Sequence, residues 1–184
     1  SIEFNRDPLV PFANTNQGPK TTIADINNDG LDDVFIGGAY GQAGKLYYQQ
    51  DSGKFISSKF MTEDFFEDTV AAFADVDGDN DLDLVIGSGG NFKGARTGVR
   101  YYVNDGKGNF SRGSIILPTE SNISTLKLYD FDQDGDLDLL CGEFIDGFTY
   151  FQNTGTRTKP SYAAGVRLTA TNGEALTMDL QMIV

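Results

Sequence analysis

The chain has 184 residues with 27 acidic against 14 basic side chains, a net charge of −13, and is long enough for one domain with its own core. It has no histidine, no tryptophan and one cysteine, Cys141, which excludes Ser-His-Asp and Cys-His catalysis as usually built, a Cys/His zinc site and an internal disulfide. No basic stripe is available to neutralise phosphates, and no apolar run approaches the ~20 residues that cross a bilayer, so neither nucleic-acid binding nor membrane insertion is expected.

The chain opens at Ser1 without a visible secretory signal and reads as a processed or cloned segment. Residues 1–19, with "SIEF", suggest a partial-blade strand. "TTIAD" at 21–25 is the first clear strand, followed by the acidic loop "DINNDGLDD" at 25–33, the apolar run "VFIG" at 34–37, and "LYYQQ" at 46–50. The turn "DSG" leads into a fourth strand near Phe55. The same order returns twice. "AAFAD", "DVDGDNDLD" at 75–83, "LVIG" and "VRYYVNDGKGNF" form the second copy, with its fourth strand from Phe110. "LKLYD", "DFDQDGDLD" at 130–138, "LLCG" and "FTYFQNTGTRTKPSY" form the third, with its fourth strand from Tyr162. The alignment sets Tyr47 with Tyr101 and Tyr150, and Gln50 with Asn104 and Asn153. The recurring aromatic pairs (Tyr47–Tyr48, Tyr101–Tyr102, Tyr150–Phe151) are expected between neighbouring repeats, and Cys141 in the core.

Four short strands in ~50 residues, repeated, is the spacing of β-propeller blades. The expectation is an all-β chain of four-stranded antiparallel blades, three to four of them, forming a partial ring. Repeats run over about 20–66, 67–122 and 123–165 of a single 1–184 domain, with 1–19 and 166–184 as partial-blade strands. Asn172 and Glu174 suggest an eroded fourth loop. Since open sheet edges invite pairing, a longer parent chain or a homo-oligomer is expected to complete the ring, in preference to a four-bladed monomer that uses both termini.

Oxygen side chains at alternate positions of a tight loop suit a hard cation. The candidate ligands are Asp25, Asn27, Asp29, Leu31 and Asp33; Asp75, Asp77, Asp79, Asp81 and Asp83; and Asp130, Asp132, Asp134, Asp136 and Asp138. Position 7 would give only its backbone carbonyl, which is why Leu31 is acceptable there. Position 6 (Gly30, Asn80, Gly135) needs a residue that tolerates positive φ. So many protein oxygens favour calcium over magnesium, about three ions in all. A solvated acidic turn is the competing reading, disfavoured by three recurrences in one strand context. A helical calcium hand does not fit, because position 12 is Ile36, Ile86 or Cys141 within β-type runs.

Away from the acidic loops, "GSGGNFKGARTGVR" at 87–100 carries Phe92, Lys93, Arg96 and Arg100, and "GGAYGQAGK" at 37–45 carries Tyr40. These are candidate ligand-binding residues on loops of one face. A non-catalytic binding module is the expected class. The alternative is an accessory or catalytic domain of a polysaccharide-degrading enzyme, a lyase or glycosidase, working through paired carboxylates or a Tyr or Lys base, for which Glu63, Asp64, Glu67, Asp68, Glu120, Glu143 and Asp146 are the spare acids.

The loop pattern "DxDxDGxxD" followed by a "DLxxG" strand resembles FG-GAP repeats, which overlap with the VCBS repeats of bacterial surface proteins and are related to integrin α-subunit blades. The resemblance covers roughly residues 20–165. It implies a β-propeller with calcium in hairpin loops, an extracellular or cell-surface setting, and carbohydrate or protein ligands. Asn27 for Asp and Asn80 for Gly depart from the pattern.

Overall fold

The computed structural model describes residues 20–90, 94–114, 122–143 and 147–176. Within them the chain forms strands and no helix. β1 (Thr21–Ala24), β2 (Asp33–Ile36), β3 (Lys45–Gln49) and β4 (Phe55–Met61) make one antiparallel sheet in chain order. β5 (Asp68–Ala74), β6 (Asp83–Ser88), β7 (Gly98–Asn104) and β8 (Phe110–Arg112) make the second, and β9 (Ile123–Tyr129), β10 (Asp138–Glu143), β11 (Phe148–Phe151) and β12 (Val166–Arg167) the third. Each is the four-stranded meander of a propeller blade. β5 packs beside both β1 and β9, so the first strand of every sheet lies on the inner side. The Thr69 hydroxyl donates to the Ile123 carbonyl across that inner seam.

The sheets stack through two apolar layers. Side chains alternate between faces of a strand, so consecutive residues serve different layers. Tyr101, Val85 and Leu139 belong to the layer between the second and third sheets. Tyr102, Leu84 and Phe35 belong to the layer between the first and second. This explains the continuous apolar runs: the β6 run is buried along its whole length because both its faces are covered. Cys141 is fully buried in the first of these layers, which raises its thiol pKa to about 12.

Two expectations are corrected here. Strand pairing aligns Val34 with Tyr47 but Val85 with Tyr101 and Leu140 with Tyr150. Leu46, opposite Phe35, therefore stands where Tyr101 and Tyr150 do, and Gln49 rather than Gln50 matches Asn104 and Asn153. The fourth strand of the third sheet is Val166–Arg167, not a strand from Tyr162. Tyr162 instead makes one bridge to Asn153 and sends its hydroxyl to the Leu137 carbonyl.

The outer faces of the stack also expose apolar side chains. On the first sheet Ile23 is 60% exposed, and on the third Tyr129 is 64% and Phe131 43% exposed. By their distance from the acidic loop, Ile23 and Tyr129 correspond to Phe73 and Ala74, which pack against the two layers inside the stack.

Candidate metal centre

Antiparallel meandering puts β1–β2, β5–β6 and β9–β10 loops at one end of the sheets, and these are the three acidic loops. Much of their geometry is turn chemistry. In the first loop the Asp29 and Gly30 amides donate to Asp25 at 3.1 and 2.8 Å. In the third, the Asp134 and Gly135 amides donate to Asp130, both at 3.1 Å. The position-5 carboxylate accepts the position-7 amide in every copy: Leu31 to Asp29, Asp81 to Asp79, Asp136 to Asp134. Positive φ occurs at position 6, as expected for Gly30, Asn80 and Gly135, and also at position 4, in Asn28, Gly78 and Gln133. The second set was missed because Asn, Gly and Gln share no obvious signal, although Asn and Gly are the residues that tolerate this backbone best.

Position 9 is the staple of each blade. Asp33, Asp83 and Asp138 are all fully buried. Their Oδ2 atoms accept the amides of Ile26, Val76 and Phe131, and their Oδ1 atoms accept the amides of Gln49, Asn104 and Asn153 on the third strand. Tyr101 and Tyr150 add hydroxyl donors to Asp83 and Asp138 at 2.9 and 2.8 Å. One side chain thus joins the loop to two strands. Burial outweighs these donors and pushes the Asp83 carboxyl up to about 6; Asp33 shifts the same way for the same reason. A carboxylate oxygen has two lone pairs, so these bonds leave room for a further partner.

Turn chemistry does not account for two atoms. Asp77 Oδ1 and Asp136 Oδ1 are buried and accept no hydrogen bond. Burial raises both carboxyl pKa values, helped by neighbouring aspartates, Asp79 for one and Asp134 for the other. An acceptor left in this state is costly unless a cation faces it. Among the described residues, Asp75, Asp77 and Asp79 bring ligand atoms within 4.8 Å of one another, as do Asp130, Asp132 and Asp138. The first loop, with Asn27 in place of one acid, makes no such trio; there the Asn27 amide donates to Asp29 at 3.0 Å. The donor set is oxygen throughout, with Cys141 remote in the core. It fits a hard divalent cation. Asp136, at the position expected to give only its backbone carbonyl, has a side chain that is 5% exposed and stands outside the trio of its loop. At the tail, Asn172 and Glu174 bond each other in a short turn.

Residues 25–86, and again 75–141, match the FG-GAP-like repeat. The chain belongs to the FG-GAP-like repeat family. The matched spans begin and end in the acidic-loop and apolar-strand units just described. No curated protein matches the sequence.

The opposite end of the sheets gathers part of the expected ligand face. Tyr40 is exposed on the β2–β3 loop, and a side chain on Gly94 of the β6–β7 loop would touch its hydroxyl at 3.6 Å. Arg96 lies 4.7 Å over the ring of Phe65, an exposed residue of the β4–β5 connection that no spacing in the sequence signals. Phe92 and Lys93 lie outside the described residues, as do Glu120 and Asp146. Arg100 is corrected: it is no loop-tip residue but part of β7, 1% exposed. Its guanidinium bonds Asp68, Ser88 at 3.2 Å and Glu63 at 3.1 Å, and stacks 4.1 Å over Phe66. Glu63 also pairs with Arg112, and Glu143 with Arg167, both at 2.6 Å. Three of the spare acids are therefore held in ion pairs.

Proposed function

We propose that this chain is a calcium-stabilised, non-catalytic binding module of the extracellular or cell-surface kind, with a carbohydrate or protein ligand on the face away from the acidic loops. The unpartnered, buried oxygen of Asp77, within the Asp75, Asp77 and Asp79 trio, carries the calcium part, since turn formation leaves it unsatisfied. A bound ion would supply the positive charge that lets each aspartate cluster stay ionised. Asp75, Asp77 and Asp79 would hold it in the second loop, and Asp130, Asp132 and Asp138 in the third. Both loops join the first two strands of a blade, so occupancy favours the folded chain. At a hundredfold excess over Kd, one such site adds about 2.7 kcal/mol, and Kd values of ~10⁻⁴ to 10⁻³ M suit an extracellular setting. Calorimetric titration and melting with calcium or chelator test the reading. Equal midpoints and no binding heat refute it.

The ligand part is supported by Tyr40, Phe65 and Arg96, which put two exposed rings and a cation on one end of adjacent blades. Flat rings and a guanidinium suit the apolar face and hydroxyls of a sugar, or a side chain of a protein partner. A glycan and protein binding screen with Tyr40→Ala and Arg96→Ala as controls decides it; binding that both variants retain refutes this location. The end faces bearing Ile23 and Tyr129 are where further blades would dock, from a longer chain or another copy, and molar mass in solution shows whether copies associate.

A further inference from the structure

The three loops differ in who holds the first aspartate. In the first and third, both carboxylate oxygens of Asp25 and Asp130 accept amides of their own loop. In the second, Asp75 Oδ1 accepts the Gly78 amide at 2.7 Å, and Oδ2 accepts Arg157 Nη2 at 2.7 Å. Arg157 comes from the β11–β12 connection of the next sheet, 82 residues away in sequence. Its stem lies against position 4 of the loop, where a Cβ on Gly78 would stand 2.6 Å from Arg157 Cγ. The equivalent positions carry Asn28 and Gln133, both with side chains beyond Cβ. Glycine is thus the residue that admits the arginine.

We propose that Arg157 is a built-in competitor for the cation of the second loop, a tethered guanidinium that holds this site's affinity below the value its own carboxylates would set. Its charge partly neutralises Asp75 and repels an incoming divalent ion, and the arginine must give up the Asp75 oxygen as the ion enters. Because Arg157 belongs to the third blade, cation binding in the second loop is coupled to the position of the neighbouring blade's 153–162 segment. The inference rests on the calcium reading above and deepens it.

Calcium calorimetry on the whole chain and on Arg157→Gln tests it. The interaction is that of a half-exposed ion pair, so the second-loop site should tighten about three- to fivefold, and the gain should vanish when Asp79→Ala is added. Gly78→Asn keeps a residue suited to the loop's positive φ, as Asn28 shows, and displaces the arginine without altering it; the same tightening is expected. Lys159→Ala, an exposed cation of the same turn, should change nothing. Unchanged or weaker affinity in both Arg157→Gln and Gly78→Asn overturns the competitor role while leaving calcium binding intact. Absence of binding heat in every variant overturns the calcium reading, and this one with it.

Discussion

Arg100→Met is the sharpest test of how the first two blades are joined. The guanidinium is enclosed and serves Asp68, Glu63, Ser88 and the Phe66 ring together. Asp68 is itself buried, and its other oxygen accepts the Gly38 amide at 2.8 Å. Removing the arginine leaves this carboxylate without a counter-ion in a desolvated site, a loss of about 3–5 kcal/mol for pairs of this kind. For a chain of this size each kcal/mol lowers the midpoint by roughly 2–4 °C, so a drop of about 6–20 °C is expected. Burial already raises the Asp68 pKa, against the lowering effect of Arg100. In the variant it rises further, so the deficit should shrink as acid protonates the group. Adding Asp68→Asn, which keeps an acceptor for Gly38, should restore at least about half of the lost stability, because no buried charge remains. Denaturant unfolding at fixed calcium reads all three proteins. A loss under about 1 kcal/mol, the value of a surface pair, refutes the enclosed network.

Asp138→Ala strands two backbone amides and the Tyr150 hydroxyl, so it should cost about 2–4 kcal/mol in chelator, measured by thermal melting, and more in calcium, where the ion's contribution is lost as well. Asp79→Ala and Asp134→Ala should lower the midpoint in calcium and change it little in chelator; equal losses in both would show that these exposed residues act only in the turn. The pH response should reverse with metal. Asp83, with a folded pKa of about 6 against an ordinary 3.8, contributes stability that is full below 3.8 and lost as pH rises through 6, and Asp33, Asp77 and Asp136 shift the same way. In chelator the midpoint should therefore be higher at pH 5 than at pH 7, and in saturating calcium lower at pH 5, as protons compete with the ion.

The blades and the acidic loops were legible in the sequence because both are written in short-range spacing. An apolar residue two before the first aspartate, alternate oxygens through the loop and a continuous apolar run after it recur at each copy, and hairpin geometry follows from such local signals. Even the buried Cys141 followed from its place in a β run. The sequence was less clear where a single residue decides register. The Tyr47 and Tyr101 alignment looked sound by residue type, yet the amide that reaches Asp33 belongs to Gln49, not Gln50. A shift of one position exchanges the faces of a strand, and only strand pairing reveals which face is which.

The aromatic pairs between blades were legible, with Tyr101 and Tyr102 in the two layers, but the polar contacts between blades were not. Arg100 sits beside glycines and another arginine in a stretch that reads as an exposed loop, but β7 begins at Gly98 and turns it into the layer facing Asp68 and Phe66. Arg157 reaches Asp75 from the neighbouring sheet, and Arg96 meets Phe65 from a separate loop. Local spacing determines which segments become strands and which loops gather oxygens, since those depend on neighbours a few residues away. Which charge is enclosed, and which loop receives a foreign guanidinium, depends on how twisted sheets stack, a relation between residues tens of positions apart that the tertiary structure alone decides.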